Sequence, residues 1–168
     1  MWWQGYEYSY RRDVKDACGS DQLCSGLKAG GEAAIHAMNN LFDDHADEGW
    51  GFLFDDARNA FNSISRPVAL WNCRILWSRC SRYLFNSYRG YAVLILKGTE
   101  RRIFSREGFT QGDSLAMQGY AVGILPLILK LKNPEKWTQT WFADDSACAG
   151  KLKLLLEWLL LLMQEGPN

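Results

Sequence analysis

The sequence predicts an α+β fold in which helices pack on an antiparallel sheet. Three observations lead there. Short apolar runs of strand type stop near paired aspartates: Gly51-Phe52-Leu53-Phe54 before Asp55-Asp56, and Trp137 to Phe142 before Asp144-Asp145. Stretches of helical periodicity fill the chain between and after them. The 168 residues are 48% apolar and 23% charged, which excludes a disordered tail or a coiled coil and suffices for one buried core.

Taken in order, Met1 to Tyr10 is aromatic and polar without a clear period, and Gly19-Ser20-Asp21 reads as a turn. Gly30-Gly31 opens a helix in which Ala34, Ile35, Met38, Leu41 and Phe42 line one side. An acidic loop, Asp43 to Glu48, leads into the Gly51–Phe54 strand. Ser65 ahead of Pro67 marks a helix start, because Pro is tolerated in a first turn. Val68, Trp71, Ile75, Leu76, Arg79, Tyr83 and Leu84 continue it at helical spacing. Tyr91 to Leu96 and Arg101 to Phe104 form a hairpin around Lys97-Gly98-Thr99-Glu100. Beyond a polar loop, Asp113 or Ser114 caps a helix running through Leu115, Met117, Tyr120, Ile124 and Leu127, which Pro126 is expected to kink or interrupt. Trp137 to Phe142 and Ser146 to Ala149 make a second hairpin around Ala143-Asp144-Asp145. Lys151 to Gln164 is a Leu-rich helix whose apolar face needs a partner, on this domain or on further chain; such a face predicts poor solubility of the piece alone. No domain boundary is visible.

Lys plus Arg and Asp plus Glu number 19 each, which argues against a purely electrostatic nucleic-acid binder. The longest apolar run, Trp158 to Met163, falls far short of the ~20 residues a membrane span requires. No signal peptide opens the chain, so the five cysteines are expected as reduced thiols in a cytoplasmic or nuclear protein. Locally the charge is uneven. Asp43, Asp44, Asp47, Glu48, Asp55 and Asp56 are acidic with no cation among them, whereas Arg66 to Arg106 is strongly basic. That pairing suits either a metal-using site that handles a polyanion or an ordinary solvated helix face and charged hairpin.

Each Asp-Asp pair ends an apolar strand. If those strands are neighbours, Asp56, Asp144 and Asp145 converge. Crowded carboxylates repel one another unless cations neutralise them, and hard oxygen ligands suit Mg²⁺. A pair of such ions ~4 Å apart activates a hydroxyl and stabilises a leaving phosphate oxygen. Taken alone, each pair also fits a solvated turn.

Three motifs in this order resemble the palm of reverse transcriptases, the RNA-directed DNA polymerases. Asp56-Ala57-Arg58-Asn59-Ala60-Phe61 is similar to the first, Asp-x-x-x-Ala-Phe. Glu107-Gly108-Phe109-Thr110-Gln111-Gly112-Asp113-Ser114-Leu115 is similar to the second, the Gln-Gly-Asp-Pro-Leu loop that opens a helix. Phe142-Ala143-Asp144-Asp145 is similar to the third. Gly26 to Gly30 with Glu32 to Ala37 resembles the glycine turn and helix that precede the palm in retrotransposon polymerases. The similarity covers about Asp21 to Gly150.

By resemblance the fold is polymerase palm-like and the reaction is nucleotidyl transfer from a dNTP to a primer 3′-hydroxyl on an RNA or DNA template. The resemblance makes Asp56 and Asp144 ligands of two Mg²⁺ ions, with Mn²⁺ a substitute, and Asp145 the weaker carboxylate. It aims the Ala57 carbonyl at the triphosphate's metal, makes Phe61 the wall against a ribose 2′-hydroxyl, and brings Gln111 and Gly112 to the nucleotide and template. Asp55 does not match a ligand position. Tyr88, Arg89 and the basic hairpin are expected to meet template or primer phosphates. Ser114 replaces the usual Pro. Of the nucleotide-gripping basic residues only Arg11 and Arg12 are candidates. Residues 1–168 therefore read as one partial domain, part of the fingers plus palm, without thumb or later palm elements and without a membrane partner. The remainder of a longer polyprotein is an expected companion. The rival is a truncated, non-catalytic palm-fold remnant acting as a nucleic-acid-binding or interaction module.

Overall fold

A computed structural model describes residues 10, 12–25 and 27–166. The unpatterned N-terminal stretch before Tyr10, Arg11 and the Gly26 end of the glycine turn lie outside the described residues. Residues 12–18 are helical and are labelled α1. Then follow α2 (Gly30–Asp44), β1 (Trp50–Asp56), α3 (Ala60–Ser63), α4 (Arg66–Leu76), α5 (Ser78–Tyr88), β2 (Ala92–Ile95), β3 (Arg102–Ser105), α6 (Ala116–Leu131), β4 (Thr138–Phe142), β5 (Asp145–Lys151) and α7 (Leu152–Glu165). The fold is mixed α and β with antiparallel pairing throughout, as the sequence predicts. Among the described residues no helix is long and apolar enough to cross a membrane.

The main sheet has the order β1-β5-β4, and β2-β3 is a separate two-stranded ribbon. Side chains alternate along a strand, so each row across the sheet belongs to one face. The row Leu53–Cys148–Gln139 lies on the face covered by α6 and α7, where Ile128, Leu131, Trp137, Trp141, Leu155 and Trp158 are buried together. Gln139 ties that layer by donating to the Ile128 carbonyl and accepting from the Trp158 indole, each at 2.8 Å. The opposite face carries the rows Phe52–Ala149–Thr138, Phe54–Ala147–Thr140 and Asp56–Asp145–Phe142. Helix α2 crosses it, with Phe42 packed on Phe52 (ring centroids 5.7 Å apart) and Gly31 against Phe142.

A second core joins α4, α5 and α6. Here α6 presents Gly123 to Ala69 of α4, where the missing side chain lets the two backbones approach; Gly119 makes room for the Phe109 ring, and its carbonyl accepts from the Cys73 thiol.

Several sequence expectations are corrected. The helix from Ser65 is two helices, broken at Trp77. Its buried side is Arg66, Ala69, Cys73, Trp77, Cys80, Leu84 and Tyr88, whereas Val68, Trp71, Ile75 and Tyr83 face solvent. In α2 the buried residue is Met38, while Ile35 and Phe42 stand mostly exposed. Strand β1 continues through Asp55 and Asp56. Helix α6 begins at Ala116, and of the two expected caps Asp113 serves its N-terminus, its carboxylate accepting from the Leu115 N–H at 2.8 Å; Pro126 does not interrupt the helix. Helix α7 buries Leu155 and Trp158 but leaves Leu152, Leu156, Leu160 and Met163 exposed as one stripe.

Candidate active site

The β1–β5 register sets Asp56 directly opposite Asp145. Direct partners share a face, so both carboxyl groups project from the same side of the sheet. Asp144 precedes β5 in the turn that follows Ala143, a buried non-glycine residue with φ of 57°. The three acids thus meet at one end of the sheet. Their proximity is felt electrostatically: the Asp145 carboxyl is raised above its ordinary value of 3.8, first by loss of hydration, then by repulsion from Asp144 and Asp56. Among the described residues none of the three forms an ion pair. Asp55 alternates to the other face, opposite the buried Ser146, which separates it from the cluster.

Phe61 follows on α3 and is half-buried. Its ring stacks on Tyr120 of α6 at 4.4 Å and 20°. The Tyr120 hydroxyl is pushed up by burial and then by the Asp144 charge. The Ala57 carbonyl accepts a turn bond from the Ala60 N–H at 3.3 Å, which uses one of its two lone pairs.

The second motif is fastened to the first through backbone. Phe109 N–H donates to the Phe61 carbonyl at 2.7 Å and Gly108 N–H to the Ile64 carbonyl at 3.0 Å. Gly108 has φ of 69°, and a Cβ there would lie 2.1 Å from the Phe61 carbonyl oxygen, so only glycine fits. Gln111 and Gly112 stand exposed at the tip of the following turn. No hydrogen bond or ion pair among the described residues links them to the carboxylates. Asp113 anchors this turn, accepting from the Leu115 N–H at 2.8 Å and from the Tyr88 hydroxyl at 2.7 Å. Tyr88 is buried, its hydroxyl pushed up to about 12 by burial and by Asp113. It is therefore a strut for the loop, and the expectation that it meets phosphates is corrected. Arg89, Lys97, Arg101, Arg102 and Arg106 remain exposed.

Two residues important to this site carry no sequence signal. Arg66 is 4% exposed and donates to the carbonyls of Gly90, Ser105, Glu107 and Gly108, while its own backbone N–H donates to the Glu107 carboxylate. It staples the base of the β2-β3 ribbon, where the chain enters β2 and leaves β3, to the second motif. Glu107 supplies the cap of α4 that Ser65 does not. Gln22, fully buried, binds both backbone groups of Ala143. Polar residues of this kind look like surface until the partners, 24 to 121 residues away, are known.

All five cysteines are unpaired; burial raises each thiol, with Cys18, Cys73 and Cys148 at about 12. Among the described residues no group of three or more His, Cys, Asp or Glu side chains encloses a metal position. The donor chemistry nevertheless fits Mg²⁺, which takes one or two carboxylates and fills its remaining positions with water and substrate phosphate. In comparisons with known proteins, no family model matches the chain and no curated protein matches it.

Proposed function

We propose that this chain is the palm-containing part of a reverse transcriptase and adds deoxynucleotides to a primer 3′-hydroxyl on an RNA or DNA template. One observation carries this: Asp56 stands opposite Asp145, with Asp144 in the adjoining turn, in a protein whose three motifs follow the order of that family. Asp56 and Asp144 would hold two Mg²⁺ ions, Asp145 contributing less. When bound, the pair lowers the pKa of the attacking hydroxyl and neutralises charge on the departing pyrophosphate.

The chain's own residues supply position. Phe61, backed by Tyr120, offers a flat apolar wall that admits a deoxyribose and collides with a 2′-hydroxyl, because close packing tolerates no extra atom. The Gln111–Gly112 turn brings an amide and an unobstructed backbone to the nucleotide and template. The exposed cations of the ribbon meet backbone phosphates, which fixes register without reading sequence.

Primer extension with Mg²⁺ and with Mn²⁺ tests the proposal. The wild-type chain is expected to extend a primer, and Asp144→Asn to abolish extension with an unchanged circular dichroism spectrum. Extension by neither metal would favour the non-catalytic remnant. Extension by Asp144→Asn would strip Asp144 of its role as a metal ligand.

A further inference from the structure

We propose that Gln22 is a positioning residue for the candidate active site, a two-point clamp that sets the turn carrying Asp144; this rests on the polymerase reading for its catalytic consequence. The turn passes through Ala143, whose left-handed backbone disfavours a residue with a Cβ. An unfavourable conformation persists only where its surroundings impose it. The Gln22 side chain does so: its Nε2 donates to the Ala143 carbonyl at 3.0 Å, and its Oε1 accepts from the Ala143 N–H at 2.8 Å. One planar amide therefore pairs with both backbone groups of one residue, 121 positions away, and restrains the two peptide units that flank it.

The clamp is itself fixed. Gln22 is 0% exposed. The next residue, Leu23, donates its N–H to the Trp141 carbonyl at 2.8 Å, so the segment lies along the end of β4. Asp21 is held by Lys132 at 2.6 Å, at the end of α6. On the other side the Leu23 carbonyl fills the space where a side chain at Gly30 would lie, which locks the segment to the start of α2. The amide thus couples three elements to the one backbone position that aims Asp144. Met keeps the length and loses both the donor and the acceptor, whereas Glu loses the donor when ionised and keeps both groups when burial leaves it protonated.

The test compares wild type, Gln22→Glu and Gln22→Met in the full chain. Two measurements are made on folded protein, below the melting temperature of the weaker variant. Primer extension is expected to show kcat at least ten-fold lower in Gln22→Met, with the KM for dNTP within two-fold of wild type; a residue that only supports stability would lower the melting temperature and leave kcat alone. Amide hydrogen exchange is expected to be at least ten-fold faster at Ala143 in Gln22→Met, and between the two in Gln22→Glu, while Cys148 in the middle of β5 keeps its wild-type rate. Unchanged kcat in both folded variants, or unchanged exchange at Ala143, overturns the clamp. If wild type itself does not extend primers, the polymerase reading falls and the exchange rates alone decide whether Gln22 sets the turn.

Discussion

The α-carbon of Gly108 lies against the carbonyl of Phe61, so close that any side chain at 108 would overlap that oxygen. The contact is backbone on backbone, with no flexible atom to move aside, and the positive φ adds strain for any other residue. Gly108→Ala is expected to lower stability by about 3 kcal/mol and to weaken the Phe109–Phe61 hydrogen bond. Urea unfolding and the Phe109 amide exchange rate read the two effects; wild-type values for both would show that the loop is free of the first motif.

Arg66 makes a second, separable prediction. Its guanidinium serves four carbonyls from one buried fork. A lysine carries the same charge without the fork, so Arg66→Lys leaves buried acceptors unpaired and is expected to cost about 3 kcal/mol. The β2-β3 ribbon, exposed on both faces, should lose amide protection first, since a two-stranded ribbon is barely stable alone. Equal stability of the two proteins would contradict the assignment.

Asp145 sets a pH dependence. Its carboxyl binds a proton more tightly in the folded chain than in the unfolded one. Folding therefore gains from this group below the ordinary value of 3.8, and the gain is lost as pH rises through the raised value. At neutral pH the charge opposes folding, and Asp145→Asn is expected to raise the melting temperature slightly, with the difference from wild type shrinking as pH falls into the carboxylate range. The side chain is exposed, so solvent keeps the effect small. A melting temperature lower than wild type at pH 7 would show that the three acids do not repel.

Leu152, Leu156, Leu160 and Met163 form an apolar stripe on the outside of α7. Replacing Leu156 and Leu160 by Gln is expected to leave stability within about 1 kcal/mol, because neither is buried, while reducing self-association in sedimentation velocity. A wild-type chain that sediments as a monomer at high concentration would remove the stripe as a cause of poor solubility.

What is legible in the sequence follows from the range of each interaction. β1, β4 and β5 show because local apolar runs stop at acids, and the convergence of Asp56 with Asp144 and Asp145 follows once those strands pair. The faces of α4 and α5 do not show. Two lines of helical spacing run side by side, and the bulkier one, Val68, Trp71 and Ile75, lies outside, while the smaller Ala69 and Cys73 meet the glycines of α6. Close helix approach selects small residues, which hydrophobic periodicity undervalues. Arg66 and Gln22 escape for another reason: a polar side chain is satisfied by carbonyls that any residue can provide, so no partner is marked in the sequence.

The strand order β1-β5-β4 has a consequence for synthesis. Among the described residues β1 hydrogen-bonds only to β5, and Trp50 pairs with Lys151. While the ribosome is still translating the middle of the chain, Phe52 and Phe54 leave it on a strand with two open edges. The acidic centre therefore cannot form until β5 has been made, however early Asp56 is in place.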